Sequence, residues 1–293
     1  MWTAVSGASA QAQNVDMIAN NLANQDTLAY KKDLPTFREY LATNEREKGP
    51  QDIPQGPIKD KDLYPIDGKD QSFVIVDGTY TNFKQGSLKV TNSPLDVALD
   101  GPGFLEVSTP IGIRYTRQGS LKVAMDGRLV TTEGYPVLSS SPGGLAAQPV
   151  QATGQPLGQG EPGATQGGVA AGAVDAARFI NLRDRGTHFS ITGSGEIYAG
   201  EELVGKLSVV EFQDANMLRK SGGGLYDNKK AGNAVQAPPR TIVRQGALEI
   251  SNVNPVEEMT NLIKANRLFE HDMKALKTYG DLMGREANDI GKL

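Results

Sequence analysis

The sequence has no cysteine among its 293 residues and only two histidines, His188 and His271. The absence of cysteine excludes disulfide bonds, thiolate catalysis and cysteine-ligated metal sites. Neither histidine has a sequence neighbour that would complete a catalytic triad or a pair of metal ligands. We therefore predict no catalytic residue, no metal site and no cofactor, which argues against an enzyme.

The sequence also lacks long apolar runs and an excess of positive charge. No run of about 18 apolar residues is present, so we expect no membrane-spanning helix. The first residues lack the positive charge and the long apolar segment of a cleaved signal peptide, so we expect none. The formal net charge is −4 and the isoelectric point is near 5.4, so we expect no binding of nucleic acid.

Glycine and proline are abundant, with 34 and 16 residues, whereas hydrophobic residues make up only 38% of the chain. This composition favours turn-rich β-structure. Short runs with β character recur between turn signals from Phe73 to residue 245. Asp126-Gly127 lies between two such runs and predicts a type I′ hairpin. Short, regularly spaced strands with glycine turns favour an irregular sandwich or barrel.

Two segments have compositions that do not favour a packed core. Residues 45–72 are charged and rich in proline and glycine, and we predict an extended linker or arm. Residues 139–174 are mostly Gly, Ala, Gln and Pro, which predicts a flexible insertion in the β domain. The alternative for this insertion is a docking segment for another part of an assembly.

Both ends of the chain carry apolar residues at heptad spacing, which places them on one side of a helix and favours coiled-coil packing. The N-terminal stripe comprises Val5, Ala8, Ala12, Val15, Ala19 and Leu22. The C-terminal stripe comprises Met259, Leu262, Asn266, Phe269, Met273, Leu276, Gly280, Met283, Ala287 and Ile290. We predict a first helix over 2–24, a short helix over Leu34–Asn44, and a last helix that begins at Asn254 and Pro255.

These patterns together predict an α+β fold, with terminal α-helices in a coiled-coil-like bundle and a central mainly-β domain. The predicted boundaries are 1–44 and 246–293 for the two helical assembly segments, 45–72 for the linker, and 73–245 for the β domain with its insertion at 139–174. An enzyme rarely reserves both ends of its chain for a bundle. The pattern is typical of a subunit that polymerises through its ends.

Two further segments partly match ligand-binding motifs, but each lacks residues that the ligand needs. Gly200–Lys206 reads G-E-E-L-V-G-K and matches most of a phosphate-binding loop, but Leu207 stands where Ser or Thr would bind the metal. We therefore predict a hairpin turn there. Four aspartates in the linker lack the glycine and the terminal glutamate of a calcium-binding loop, so we predict a solvated charged segment. They are Asp60, Asp62, Asp67 and Asp70.

Some residues on the predicted helices do not fit a simple two-helix pair. Four apolar residues lie outside the stripes: Met17, Ile18, Ile263 and Leu268. They indicate either a second face that packs against neighbouring subunits or ordinary exposed apolar residues. Asn266 interrupts the C-terminal stripe. It either sets the register through a polar partner such as Asn20 or Asn21, or lies where the stripe is open to water.

Several motifs resemble those of the bacterial flagellar rod and hook proteins. Ile18–Asn24, I-A-N-N-L-A-N, is similar to the N-terminal signature of that family, and Gly246–Met259 is similar to its C-terminal signature. Gln85–Leu105 and Arg114–Gly119 resemble the core of its β domain. The chain departs from the family pattern at Ala29, where the family usually carries glycine before an aromatic residue and lysine.

The resemblance implies a non-enzymatic axial subunit of the flagellar basal body, in the rod that crosses the periplasm. Such a subunit would transmit torque, enclose the export channel and leave the cell by type III export without a cleaved signal peptide. Its implied partners are other copies of itself, other flagellar rod, hook and basal-body proteins, and the flagellar export apparatus. Trp2–Ala8 is most similar to members of the proximal rod, with a distal rod or hook-type subunit as the alternative.

A different class of function is also open, namely a periplasmic scaffold that binds a peptide or a glycan on its β domain. The heptad stripes and the two signatures favour assembly instead. The predicted assembly interface comprises Val5, Ala8, Ala12, Val15, Ile18, Ala19, Asn20, Asn21, Leu22, Asn24, Asn252, Met259, Leu262, Asn266, Phe269, Met273, Leu276 and Met283.

Overall fold

The computed structural model describes residues 2–42, 71–140, 178–183, 189–230, 232–235 and 240–290. The chain forms two compact units, each built from separate stretches of sequence. The terminal unit comprises Met1–Gln25, Asp33–Asn82 and Val253–Leu293, and the central unit comprises Asp26–Lys32 and Phe83–Asn252. Helices at both ends and a mainly-β centre confirm the predicted α+β class.

The terminal unit contains two helices and one β-hairpin. Its elements are α1 (Trp2–Ala23), β1 (Asp33–Ala42), β2 (Gln71–Thr81) and α2 (Pro255–Ile290). Strands β1 and β2 pair antiparallel along their whole length, with a bulge between Thr36 and Phe37. Helix α1 packs against α2 and also against both strands of the hairpin. Neither helix, over its described residues, has the length and apolar character needed to cross a bilayer.

The central unit is built from short antiparallel strands. They are β3 (Leu88–Val90), β4 (Val97–Asp100), β5 (Phe104–Thr109), β6 (Gly112–Thr116), β7 (Leu121–Val123), β8 (Leu129–Thr131), β9 (Phe189–Ile191), β10 (Glu196–Ala199), β11 (Glu202–Lys206), β12 (Val209–Val210), β13 (Leu218–Gly222), β14 (Leu225–Asn228), β15 (Ile242–Gln245) and β16 (Ala247–Glu249). The largest sheet has the order β12-β5-β6-β14-β13, and a second has the order β11-β10-β9. The remaining pairs are β15 with β4, β16 with β3, and β7 with β8.

Two apolar clusters form the core of the central unit. The larger is aliphatic and includes Leu99, Leu105 and Leu207, which are almost fully buried. The smaller is aromatic and centres on Phe104 and Tyr226, whose ring centroids are 5.6 Å apart in an edge-to-face arrangement. Such aromatic pairs add about 0.5–1.5 kcal/mol to the burial of their area. The core of this unit is therefore made by its own sheets.

Two predicted hairpins are present, although one turn type is wrong. Strands β7 and β8 pair around Asp126-Gly127, but only Gly127 has a positive φ, of 85°. A type I′ turn needs a positive φ at both central residues, so the turn is instead a longer loop with a left-handed glycine. A Cβ at Gly127 would lie 2.5 Å from Cβ of Arg183, so the close approach of this segment requires glycine. Gly200 and Glu201 of the Gly200–Lys206 motif form the predicted turn between β10 and β11, and the rest of the motif forms β11.

The prediction of a helix over Leu34–Asn44 is wrong, because residues 33–42 form strand β1. Pro35 suits the first turn of a helix, but it is equally compatible with a strand that needs no N–H from it. The pairing with β2 makes this segment a strand and not a helix. Strand β2 begins at Gln71 and belongs to the terminal unit, so the predicted linker is shorter than 45–72 and the central unit does not begin at residue 73.

Several predicted features lie outside the described residues. They are most of the linker, the insertion apart from Ser139 and Ser140, the aspartates at 60, 62, 67 and 70, and His188.

Candidate functional site

Helix α1 buries a broad side that includes more than the predicted stripe. Ala8 and Ala10 are buried, and Ile18 is only 8% exposed. The helix ends where Asn24 donates its backbone N–H to the carbonyl oxygens of Asn20 and Asn21, at 3.2 and 3.1 Å. This breadth follows from the two neighbours of α1, since a helix packed against both a helix and a hairpin covers more than one stripe.

The predicted residues of α1 fall into three groups. Ala8, Ile18 and Asn21 are buried; Ala12, Val15, Leu22 and Asn24 are half-buried; Val5, Ala19 and Asn20 are exposed. Ile18 is therefore covered within the single chain and Met17 is half-buried, whereas Ile263 and Leu268 of α2 are exposed. A second face that packs against neighbouring subunits stays a prediction. The stripe that packs inside the chain is rotated away from Val5 and Ala19.

Asn21 has a local structural role. Its Nδ2 donates to the carbonyl oxygen of Asp33 at 2.8 Å, and its Oδ1 accepts from the backbone N–H of Asp33 at 3.0 Å. Asp33 also accepts a hydrogen bond from Thr81 Oγ1 through its own Oδ1 at 2.8 Å. Asn21 therefore fixes the start of β1 against the end of α1.

Helix α2 begins as predicted at Pro255, with Asn254 as its N-cap. Asn254 Oδ1 accepts from the backbone N–H of Val256 at 3.2 Å, and the Asn254 carbonyl oxygen accepts from the N–H of Glu258 at 3.0 Å. The side-chain bond satisfies the Val256 N–H, which the first helical turn would otherwise leave unpaired, and the backbone bond is the first i to i−4 bond of the helix. The cap therefore defines where the helix begins.

The predicted stripe of α2 is split between two sides of the helix. Leu262, Phe269 and Leu276 are half-buried at steps of seven residues, whereas Met259, Asn266, Met273 and Met283 are exposed. Leu262, Phe269 and Leu276 lie on the side of the buried Ala265. Asn266 is exposed in the single chain, and its role in setting the register stays a prediction.

A buried ion cluster, which the sequence reasoning missed, links distant parts of the central unit. Glu249 Oε1 accepts from Lys31 Nζ at 2.6 Å, and Glu249 Oε2 accepts from Arg117 Nε at 2.9 Å. The side chains of all three residues are at most 1% exposed. The backbone N–H of Gly86 also donates to Glu249 Oε1, at 2.8 Å. One carboxylate therefore pairs with two buried cations that lie far apart in sequence, and the cluster keeps one net positive charge when both are protonated.

The remaining donors of the cluster are satisfied by backbone oxygens. Lys31 Nζ donates to the carbonyl oxygen of Lys84 at 2.8 Å, and Arg117 donates to that of Gly101 at 2.7 Å. The Arg117 guanidinium also lies 5.4 Å from the ring centroid of Phe104, which joins the cluster to the aromatic core. Buried charges that are paired and hydrogen-bonded in this way are retained at low cost only while every partner is present.

Hydrogen bonds of Asn252 and Ala29 hold the segment 26–32 beside the end of β16. Asn252 Oδ1 accepts from the N–H of Lys32 at 2.8 Å, and its Nδ2 donates to the carbonyl oxygen of Lys84 at 3.0 Å. Ala29 donates its N–H to the Glu249 carbonyl oxygen at 2.9 Å. Ala29 has a φ of 56°, so the left-handed backbone is kept although alanine replaces the glycine of the family, at a cost of about 1–2 kcal/mol.

The geometry of the cluster predicts an unusual pH dependence. Burial, followed by the nearby Arg117 charge, lowers the pKa of Lys31 to about 8 despite the opposing effect of Glu249. The unfolded chain, with an ordinary lysine pKa of 10.5, then binds more protons than the folded chain at pH values between 8 and 10.5. The free energy of unfolding of the central unit should therefore rise across this window, by up to about 3 kcal/mol.

Urea unfolding at pH 7.5, 8.5 and 9.5 would measure this rise. The variant Lys31→Met removes the titrating group and should abolish the rise, which separates it from the titration of other groups. A wild-type stability that falls from pH 7.5 to 9.5 as steeply as that of the variant would contradict the prediction.

The described residues offer no metal centre, since no three His, Asp or Glu side chains among them lie close enough to hold an ion. His271 is exposed on α2. The two terminal helices have partly exposed apolar sides that can pack against other helices. In the central unit, the buried ion cluster holds Lys31, Arg117 and Glu249 together.

Comparison with known families gives three matches along the chain. Residues 1–31 match the model described as flagella basal body rod protein. Residues 98–199 match that of the flagellar hook protein FlgE/F/G D1 domain. Residues 244–290 match that of the flagellar basal body rod FlgEFG protein C-terminal.

Comparison with curated proteins gives relatives of nearly equal length. The basal-body rod protein FlgG of Borreliella burgdorferi is 28% identical, with 97% of this chain and 96% of the relative covered. FlgG of Bacillus subtilis is 27% identical, with 98% and 97% covered. The rod protein FlgF of Caulobacter vibrioides is 27% identical, with 96% and 93% covered.

Proposed function

Since this chain belongs to the family of flagellar basal-body rod proteins, we propose that it polymerises through α1 and α2 into a segment of the rod that transmits torque and encloses the export channel. It is a structural subunit of the basal body and not an enzyme. Its proposed partners are other copies of itself, the neighbouring rod, hook and basal-body proteins, and the export apparatus that delivers it across the inner membrane without a cleaved signal peptide.

The observation that carries this proposal is the apolar surface that α2 leaves exposed. Among the described side chains of this helix, eight large hydrophobic ones are about half exposed or more: Val256, Met259, Ile263, Leu268, Met273, Tyr279, Leu282 and Met283. An amphipathic helix in a finished monomer covers such residues with its own core. Helix α2 has 36 residues and α1 has 22, so α2 is longer by about 21 Å at 1.5 Å per residue. Neighbouring subunits would cover the rest.

We also propose a finer architecture from the half-buried side of α2. Leu262, Phe269 and Leu276 lie one heptad apart on a half-buried side of α2, which supports a coiled-coil-like pairing of the terminal helices in the rod. The buried ion cluster of the central unit would hold the segment 26–32 and the end of β16 in fixed places while torque is applied.

The position along the rod is a separate question with two candidates. The N-terminal Trp2–Ala8 favours the proximal rod. Several of the curated relatives carry the name FlgG, the distal rod protein, and one carries the name FlgF. Deleting the gene in its native bacterium and imaging the remaining basal bodies would test both the function and the position.

We expect truncated rods without hooks in the deletion strain, restored by the wild-type chain. A rod that ends at the inner-membrane ring would indicate a proximal position, and a rod that ends further out would indicate a distal position. Complete rods and normal swimming in the deletion strain would contradict the proposal and would favour a periplasmic scaffold that binds peptide or glycan.

Hydrogen exchange should distinguish the terminal helices from the central unit. The buried residues of α1 include two alanines, Ala8 and Ala10, and the side chains of 277–285 in α2 are all exposed, so few apolar contacts hold these segments in a monomer. We expect their amides to exchange much faster than those of β5 and β14 in a dilute monomer and to become protected in the polymer. Strong protection of residues 5–22 in the monomer would contradict this prediction.

A further inference from the structure

Segment 26–32 is docked in the central unit by residues that come far later in the chain. Lys31 Nζ donates to Glu249 Oε1, 218 positions away, and the N–H of Lys32 donates to Asn252 Oδ1, 220 positions away. Contacts of this kind can form only after both acceptors have been added to the chain. The position of segment 26–32 therefore depends on the last residues of the central unit.

Residues 249–252, here called the closing segment, also pack against residues 84–87. The N–H of Ile250 donates to the carbonyl oxygen of Ser87 at 3.0 Å. A Cβ on Gly86 would lie 2.1 Å from the carbonyl oxygen of Ile250, so this close approach requires glycine. The closing segment therefore contacts two earlier stretches of chain, and it is the last of the three to be added to a growing chain.

The large sheet of the central unit is built without the closing segment. Its β5–β6 and β13–β14 pairs are hairpins between strands that are adjacent in sequence. Arg117, which follows β6, donates to the carbonyl oxygens of Leu99 and Gly101, which are 18 and 16 positions away. Contacts between nearby residues lose less conformational entropy on forming than distant ones do. The sheet can therefore form, with Arg117 in place, while the closing segment is absent.

Charge sets a stronger order than chain length does, because closure entropy rises only slowly with length. Lys31 and Arg117 are both buried, and Glu249 is the acidic partner of both. Burying either cation before Glu249 arrives would leave a charge without a partner, which is costly. Arg117 and Glu249 together form a neutral pair, so Lys31 can enter the interior once that pair exists. Segment 26–32 should therefore dock last.

From these observations we propose that Glu249 and Asn252 form a late-closing lock in the central unit. The large sheet folds first, the closing segment then pairs with residues 84–87, and segment 26–32 docks in the last step. A chain made from its N-terminus therefore leaves segment 26–32 undocked until Asn252 is present. The last step joins the residues that follow α1 to those that precede α2, so only a complete central unit reaches this arrangement. The lock concerns the folding of a single chain and does not depend on the proposed function.

Pulsed hydrogen exchange during refolding of the full wild-type chain tests this order. The chain is diluted from urea, labelled after increasing delays and digested for mass spectrometry. The N–H groups of Ala29 and Asn252 report on the lock, because they donate to the carbonyl oxygens of Glu249 and Tyr30 at 2.9 and 3.2 Å. We expect the amides of β5 and β14 to become protected several-fold sooner than these two. Equal or earlier protection of Ala29 and Asn252 would overturn the proposal.

The folding and unfolding rates of Glu249→Gln give a second readout. An interaction that forms late affects the unfolding rate and hardly the refolding rate. We expect the variant to unfold about 100-fold faster or more and to refold within about threefold of wild type. The matched control is Val107→Ala, which truncates a fully buried residue of β5 and should slow refolding several-fold. A refolding rate of Glu249→Gln that falls by a larger factor than its unfolding rate rises would contradict a late lock.

Asn252→Ala covers the case in which Glu249→Gln does not fold. The substitution removes the side-chain hydrogen bonds to Lys32 and Lys84 but leaves the ion cluster paired. We expect unfolding about tenfold faster, with refolding within about twofold of wild type. The opposite pattern, in which refolding slows more than unfolding accelerates, would overturn the proposal.

Discussion

Glu249→Gln should lower the free energy of unfolding of the central unit by about 3–5 kcal/mol, the cost of breaking a buried ion pair. The substitution keeps the size of the side chain but removes the negative charge that both Lys31 and Arg117 contact. Two buried cations then remain without a counter-ion. The hydrogen bond from Gly86 to Oε1 does not compensate, because one end of the new amide group is itself a donor and would face the donors around it.

Urea unfolding followed by hydrogen exchange in β5 and β14 would measure this loss in the full chain. The matched control is Glu196→Gln, which removes an ion pair to Lys206 at 3.6 Å between side chains that are 33% and 43% exposed. Exposed pairs contribute little, so this control should stay close to wild type. A loss in Glu249→Gln no larger than in the control would show that the cluster does not stabilise the central unit.

Removing all three charges separates the cost of unpaired charges from the loss of packing. The triple variant Lys31→Met, Arg117→Met and Glu249→Leu leaves no buried charge in the cluster. Apolar replacements of buried ion clusters are often neutral or stabilising. We therefore expect the triple variant to be more stable than Glu249→Gln alone. If it is less stable, the cluster acts through its hydrogen bonds and shape and not through charge balance.

Phe269→Ala and Leu276→Ala should each abolish polymerisation while leaving the central unit unchanged. Both side chains are half-buried on the side of α2 that faces the interior of the terminal unit. Truncation of large core residues costs about 2–5 kcal/mol, and half-buried positions fall near the lower end. That loss is large for a pair of helices with few other large contacts. The aliphatic and aromatic clusters of the central unit include neither residue.

Sedimentation and electron microscopy would score polymers, and urea unfolding would score the central unit. The matched control is Lys264→Ala, which truncates a long side chain at an exposed position of the same helix that lies outside its apolar surface. We expect the control to polymerise. Normal polymers of Phe269→Ala, or a loss of stability in the central unit equal to that in the terminal unit, would contradict the division into two units.

The helices were predictable because their signals are local. The start of α2 follows from Asn254 and Pro255, two adjacent residues whose capping chemistry acts over one turn. The heptad spacing likewise predicts that Leu262 and Phe269 share a side. Met259 and Met273 share the same spacing but are exposed. The heptad spacing does not predict how much of the stripe the partner helix covers.

Strand β1 and the ion cluster were missed because their partners are distant in sequence. Residues 33–42 show no clear alternation, and the strand is specified by pairing with β2 about 40 residues later. Lys31, Arg117 and Glu249 each lie within or beside a motif that resembles the flagellar family, yet nothing in any one motif shows that they meet. Only the fold brings the two cations to 2.6 and 2.9 Å from the carboxylate oxygens of Glu249.

Electron cryomicroscopy of intact basal bodies at a resolution that shows side chains would test the central claim most directly. We expect this chain to occupy a segment of the rod, with contacts between copies made by α1 and α2. A map in which the chain is absent from the rod, or in which the central units alone join the copies, would contradict the account.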